Sequence, residues 1–390
     1  MYFAQKWRRG FTRLLAGAGI SLLAASSASA QTALYPIQGS SGPCPPSPCL
    51  PGMVTPGTPT TPGTPTTPTP TTPEAPAPMV APESSSLALA GTNVAMAAPG
   101  YVDFAMPVTQ FRIRGDAAYN NNRPDRAEFF YPKCGCFATL PRQNPNFDPN
   151  ASGPPLIETN VDYQDIRSYL EYAFSNRFSA FIEAPVRFIN PEQNANEVGF
   201  GNLLAGFKYA VIADPAQYVT FQFLTSSPTG DGDRGLGNDL VGLEPGILWF
   251  RQLSDRVVVH GELRDWIPIG GSDFQGNILR YGSALSYTAI NSCRFRVTPI
   301  AEVVGWTVLS GKELAVASPG FPNGVNAVVA TQDAAGDTII NAKLGVRFGV
   351  GQLVGPANLS RSDLYIGYGR ALTGEVWYED VMRVEYSLRF

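Results

Sequence analysis

A single histidine, His260, is the one side chain here whose ordinary pKa suits proton transfer near neutrality. It sits in Val259-His260-Gly261-Glu262-Leu263-Arg264, where His260, Glu262 and Arg264 share one face of a strand and the three apolar residues the other. Nucleophilic catalysis needs a serine, cysteine or acid within reach of such a base. No Gly-x-Ser-x-Gly elbow accompanies it. A histidine satisfied by neighbouring charges is the better reading, so no catalytic residue is assigned and no enzyme is expected. Cys134-Gly135-Cys136 has zinc-ligand residue types but no second cysteine pair or histidine at zinc spacing. Asp231-Gly232-Asp233 opens like a calcium loop and then lacks the remaining ligands. Gly235-x-Gly237 precedes a strand, whereas a phosphate cradle precedes a helix. Neither a metal nor a cofactor is expected.

What remains is charge, and its spacing is informative. In the final stretch Met382, Val384, Tyr386, Leu388 and Phe390 alternate with Arg383, Glu385, Ser387 and Arg389. A strand turns successive side chains to opposite faces, which separates an apolar face from a charged one. The same alternation recurs upstream. Phe178, Ala180, Ile182, Ala184, Val186 and Phe188 oppose Ser179, Phe181, Glu183 and Arg187. Ile340, Ala342, Leu344, Val346 and Phe348 oppose Asn341, Lys343, Gly345 and Arg347. Twelve such strands are predicted, at 109–119, 164–174, 178–190, 200–212, 218–226, 239–251, 256–266, 278–290, 294–308, 338–350, 363–370 and 378–390. They are longer than the usual soluble strand and suit a tilted membrane strand. The predicted fold class is all-β: a transmembrane antiparallel barrel of about 12 strands, apolar outside and polar inside.

In that register the lumen face carries Arg112, Arg114, Asp116, Arg167, Glu171, Glu183, Arg187 and Lys208 from the first half. The second half adds Glu244, His260, Glu262, Arg264, Arg280, Arg296, Glu302, Lys343, Arg347, Arg383, Glu385 and Arg389. A charge facing lipid near the midplane costs about 2–4 kcal/mol, so these side chains must meet water or one another. Two readings follow: a lumen cross-braced by salt bridges, or a narrow pore with charged walls. The pore is favoured, and the excess of basic residues inside points to anionic solutes.

Connections support the barrel. Short links at 175–177, 213–217, 252–255 and 291–293 alternate with long polar ones at 120–163, 191–199, 227–238, 267–277 and 309–337. Outer-membrane barrels pair tight periplasmic turns with long outer loops; the segment 351–362 is too long for that scheme. Trp249, Trp266, Trp306, Trp377 and Phe390 fall at predicted strand ends, which suggests the aromatic girdles of a membrane interface.

The first 30 residues read as a secretion signal: Lys6, Arg8, Arg9 and Arg13, an apolar run from Leu14 to Ala25, and Ala28-Ser29-Ala30 for cleavage. Its removal leaves 24 basic against 32 acidic residues, a balance with no footprint for nucleic acid. Cys44 and Cys49 flank Pro-Pro-Ser-Pro and suit a small disulfide loop in an oxidising compartment. Residues 43–82 form a Pro/Thr tract that buries no core and extends as polyproline II. The expected domains are therefore a signal peptide at 1–30, a periplasmic extension at 31–100 and the barrel at 101–390.

Gly199-Phe200-Gly201-Asn202-Leu203-Leu204-Ala205-Gly206-Phe207-Lys208-Tyr209 resembles a hairpin signature of outer-membrane transporters named for a MetA pathway of phenol degradation. Ser227-Pro228-Thr229-Gly230-Asp231 with Gly235-Leu236-Gly237-Asn238-Asp239-Leu240 does so too. The resemblance spans residues 160–390; Asn202 stands where that pattern favours Asp. It implies a barrel with a transport role and carries no catalytic residues. The expectation is a porin-like outer-membrane channel of a Gram-negative-type bacterium. Its partners would be outer-membrane lipid and, through the Phe390 strand, the barrel-assembly machinery. The rival is a structural barrel whose Pro-rich segment binds the cell wall or an envelope assembly.

Overall fold

A chain of two-faced strands satisfies both faces at once only by closing on itself, with the apolar faces outward. The computed structural model describes residues 98–124, 133–292, 295–315, 330–350, 362–374 and 376–389. Its strands are β1 (Gln110–Asn121), β2 (Val161–Ala173), β3 (Phe178–Pro191), β4 (Glu197–Phe200), β5 (Leu203–Asp214), β6 (Gln217–Ser227), β7 (Val241–Gln252), β8 (Val257–Ile269), β9 (Ile278–Tyr287), β10 (Ile290–Asn291), β11 (Phe295–Val308), β12 (Lys312–Ala315), β13 (Ala330–Asp333), β14 (Thr338–Val350), β15 (Ser362–Ala371) and β16 (Asp380–Arg389).

Twelve of these are long, and each pairs antiparallel with its neighbours in chain order. β16 then pairs with β1, from Gln110 opposite Arg389 to Tyr119 opposite Asp380, so the sheet has no free edge. The protein is a closed 12-strand antiparallel barrel. The predicted strands match it to within about three residues at most ends: 178–190 is β3 and 338–350 is β14.

Outward-facing Ile113, Leu170, Ile182, Leu263, Val303 and Ile366 are all exposed, and Leu344 retains 66% of its surface. A belt of large apolar side chains bared around a whole barrel is a surface for lipid, not for water. Two outward glycines make room for rings on the neighbouring strand. A Cβ at Gly261 would lie 1.9 Å from the Trp249 ring, and one at Gly305 would lie 2.4 Å from that of Tyr281.

The two ends of the barrel differ. Tight turns join β2–β3, β5–β6 and β7–β8 at the turn end. At the opposite, loop end the long connections interlock. Ser152 donates to Asp233 at 2.8 Å and Gly153 N to the same carboxylate at 3.1 Å, while Gln275 donates to the Asn238 carbonyl at 2.8 Å. Lys133 bridges Asp148 and Asp273. Burial alone would raise the Asp273 carboxyl; hydrogen bonds from Lys312 and Lys133 outweigh it and hold it below the usual range. Cys134 and Cys136 form a disulfide buried against Phe137 and Phe274.

The motifs at 199–209 and 227–240 meet in this region. Gly230 N donates to Asn202 Oδ1 at 3.1 Å, Leu203 N donates to Thr229 at 2.8 Å, and the Asn202 amide bonds Asn238. The last contact uses a side-chain N–H that Asp would lack.

Replacing Leu344 by Arg at mid-strand is expected to lower the unfolding free energy in lipid vesicles by about 2–4 kcal/mol, read by denaturant titration. A change below about 0.5 kcal/mol would mean that this face does not contact hydrocarbon.

Candidate functional site

Alternation sends charges inward, and the first question is what satisfies them. Arg187 forks onto Asp165 at 2.9 and 3.1 Å, and Arg383 onto Asp116 at 2.6 and 2.9 Å. Lys208 meets Glu171 at 3.1 Å. Arg347 reaches Glu385 at 3.0 Å and also pairs with Asp363, which Arg389 shares. Arg112 lies 3.9 Å over the Tyr169 ring and 3.7 Å from Glu385. Lys343 lies over Tyr101 at 3.9 Å and donates to the Tyr378 hydroxyl at 2.7 Å. Arg296 sits apart, near the turn end, where it bonds Asn291. His260 is fully buried between the rings of Phe104 and Phe250, with centroids 5.9 and 5.5 Å away. That is an aromatic packing role.

The lumen also holds a guest from its own chain. Residues 98–109, immediately before β1, enter the turn-end half, rise to mid-barrel at Tyr101–Asp103 and return to Gln110. The carbonyls of residues 98–101 and the amides of residues 101–103 are met by the inward charges. Arg347 donates to the carbonyls of Ala98 and Pro99 at 2.9 and 2.7 Å, Arg383 to that of Gly100 at 2.6 Å and Arg280 to that of Tyr101 at 3.0 Å. Glu302 accepts from Tyr101 N at 2.9 Å and Val102 N at 3.0 Å, and Glu262 from Asp103 N at 3.0 Å. The Asp103 carboxylate pairs with Arg264 at 3.1 Å. Gly100 is required: a Cβ there would lie 2.0 Å from Tyr365. Beyond the tip, Phe104, Ala105 and Met106 pack on Ala210, Tyr218, Leu248, Phe250 and Val258. Of the two sequence readings of the lumen, a charged pore or a cross-braced interior, neither included a segment of the chain lying inside at half height; residues 98–108 are called the plug below.

Above the plug a cavity of about 300 Å³ extends to Leu236–Asn238 at the loop end, with Tyr101 and Asp103 in its floor. Two pairs of arginines stand in its walls, since Arg114 is directly opposite Arg167 and Arg264 directly opposite Arg280. Such pairs repel, and each is held by one shared carboxylate. Glu183 takes Arg114 at 3.3 Å and Arg167 at 3.0 Å; Glu262 takes Arg264 at 3.2 Å and Arg280 at 2.7 Å.

Three of the expected interface tryptophans require correction. Trp266, Trp306 and Trp377 line the cavity, with Trp377 only 2% exposed and 5.2 Å from Trp306. A strand-end position gives depth, whereas parity gives the face, and Trp266 shares the parity of Glu262 and Arg264. Trp249 does face outward, 36% exposed. Phe390, Cys293, the Cys44/Cys49 pair, the signal peptide, the Pro/Thr tract and most of 351–362 lie outside the described residues.

Missed by the sequence reading were Gly100, Tyr101, Asp103 and Phe104, because the stretch has no period. The signal that was available is local: Pro99-Gly100 and Pro107 bracket a short aromatic and acidic run that no strand explains.

No family model matches the chain, and no curated protein matches it either. The transporter family suggested by the two motifs is therefore not confirmed. Solved structures share the barrel. An outer-membrane channel from Pseudomonas putida F1 is 11% identical with a TM-score of 0.43, covering 74% of this chain and 98% of that one. The NanC porin gives 10% and 0.38, covering 72% and 100%. The β domain of the Bordetella autotransporter BrkA gives 11% and 0.39, covering 73% and 100%. At such values the likeness is one of architecture.

Replacing Glu302 by Gln removes the charged acceptor of two buried amides. Exchange at Tyr101 and Val102, followed by mass spectrometry, is expected to accelerate about tenfold or more, while the β1–β16 ladder keeps its protection.

Proposed function

We propose that this protein is an outer-membrane channel for small solutes, held shut by residues 98–108 in the state described. The apolar belt sits in lipid, the tight turns face the periplasm and the interlocked loops face outward. One observation carries the reading: the barrier is a chain segment bound to the wall through hydrogen bonds and ion pairs. When that segment leaves, the wall it uncovers is charged at mid-height, around Arg264, Arg280 and Glu302, and apolar beside Leu248 and Phe250; the charged stretch hydrates readily, and an aqueous path results. The neighbouring porins and channels are in keeping with this architecture but supply no solute.

The chain lacking residues 98–108 is expected to insert into planar bilayers and give discrete steps at least several times larger than those of the intact protein. Gly100→Val, which displaces the tip from Tyr365, should give intermediate openings. No current from the deletion variant at any voltage, despite a folded barrel by circular dichroism, would sink the proposal.

A further inference from the structure

We infer that the cavity above the plug is a binding site for a small ring-bearing carboxylate, and that this carboxylate takes the place of Asp103 on Arg264 and so frees the plug tip. The inference deepens the channel reading and rests on it.

Arg264 touches three carboxylates: Glu244 at 3.0 Å, Glu262 at 3.2 Å and Asp103 at 3.1 Å. Glu244 and Glu262 belong to β7 and β8. Asp103 alone rides on chain that is not wall, and it also accepts from Gln222 at 3.3 Å. The plug thus presents a carboxylate, with the ring of Tyr101 two residues away, to donors in the wall. A free carboxylate fits the same donors, because a guanidinium recognises the planar CO₂⁻ group and not the chain behind it.

The charge balance of plug release favours an anion. When the tip leaves, Arg280, Arg347 and Arg383 lose backbone acceptors and Arg264 loses Asp103. Only two carboxylates, Glu302 and Glu262, lose donors. Four guanidiniums are then short of an acceptor against two carboxylates short of a donor, and the departure of Asp103 removes one negative charge, so the wall has room for an anion. Some demand exists even with the plug in place: the Nε groups of Arg112 and Arg264 are buried without a hydrogen-bond partner, and both residues line the cavity.

Size and shape restrict the ligand further. About 300 Å³ is at the low end for ligand cavities. Trp266, Trp306, Trp377 and Tyr378 give it flat apolar walls on the loop side, where a ring stacks while its carboxylate reaches down to Arg264.

Because plug and ligand compete for one guanidinium, each weakens the other by the same factor. The full-length protein in detergent is titrated with benzoate, and with benzamide as its uncharged counterpart, while tryptophan emission is followed; three of the five tryptophans line the cavity. Benzoate is expected to quench saturably and benzamide not at all. Asp103→Asn should tighten benzoate binding about fivefold or more, and Arg264→Gln should abolish the response. If Arg264→Gln does not fold, the Asp103→Asn arm decides. Equal responses to both compounds, no response to either, or unchanged affinity in Asp103→Asn overturns the inference. The readout needs no current, so a plug-deleted chain that conducts while the intact protein ignores benzoate would discard the site and keep the pore.

Discussion

A guanidinium inside a low-dielectric wall is tolerated only if acceptors surround it, because taking such an ion out of water costs several kcal/mol before any partner is counted. That constraint organises this protein. Twelve strands that must keep an apolar face to lipid have nowhere to put their charges but inward. Once inward, Arg187, Arg347 and Arg383 must each find oxygen atoms. Strand carboxylates supply part: Asp165 for Arg187, Asp116 for Arg383, Glu385 for Arg347. The carbonyls of Ala98, Pro99 and Gly100 supply another part. The plug is therefore a component of the lumen's electrostatics as well as an obstruction in it.

Much of this was legible in the sequence, because period-two alternation is set by backbone geometry alone. Placing Glu183 inward and Ile182 outward needs no knowledge of neighbouring strands, and the same holds for Arg347 and Leu344. The loop-length asymmetry was visible for a similar reason: antiparallel strands in chain order put successive connections at alternate ends, so an alternation of short and long links in the sequence separates them by end. The failures are of two kinds, one where that rule was not applied and one where no local rule exists. Trp306 was placed by depth when its face was decided by parity and by contact with Lys343 and Tyr378; Trp377, ahead of β16, packs against Trp306. Tyr101 and Asp103 were passed over because a segment threaded through a barrel has no period. Its conformation is dictated by Glu302 and Arg264, some 160 to 200 residues away along the chain.

The same interactions explain how such a plug can be stable yet releasable. The tip, Ala98 to Asp103, is held by hydrogen bonds and ion pairs together with the apolar packing of Tyr101 and Val102 in a cluster with Ile300 and Tyr365. Each of the polar contacts can be exchanged for one to water at a net cost of only about 0.5–1.5 kcal/mol, or up to about 3 where a charge is involved. The foot is held differently. Phe104 and Met106 are buried against Leu248 and Phe250, and water offers no replacement for that contact. The two kinds of contact therefore differ along the segment: water can replace the hydrogen bonds made by the backbone from Ala98 to Asp103, but it cannot replace the packing of Phe104 against Phe250 and His260.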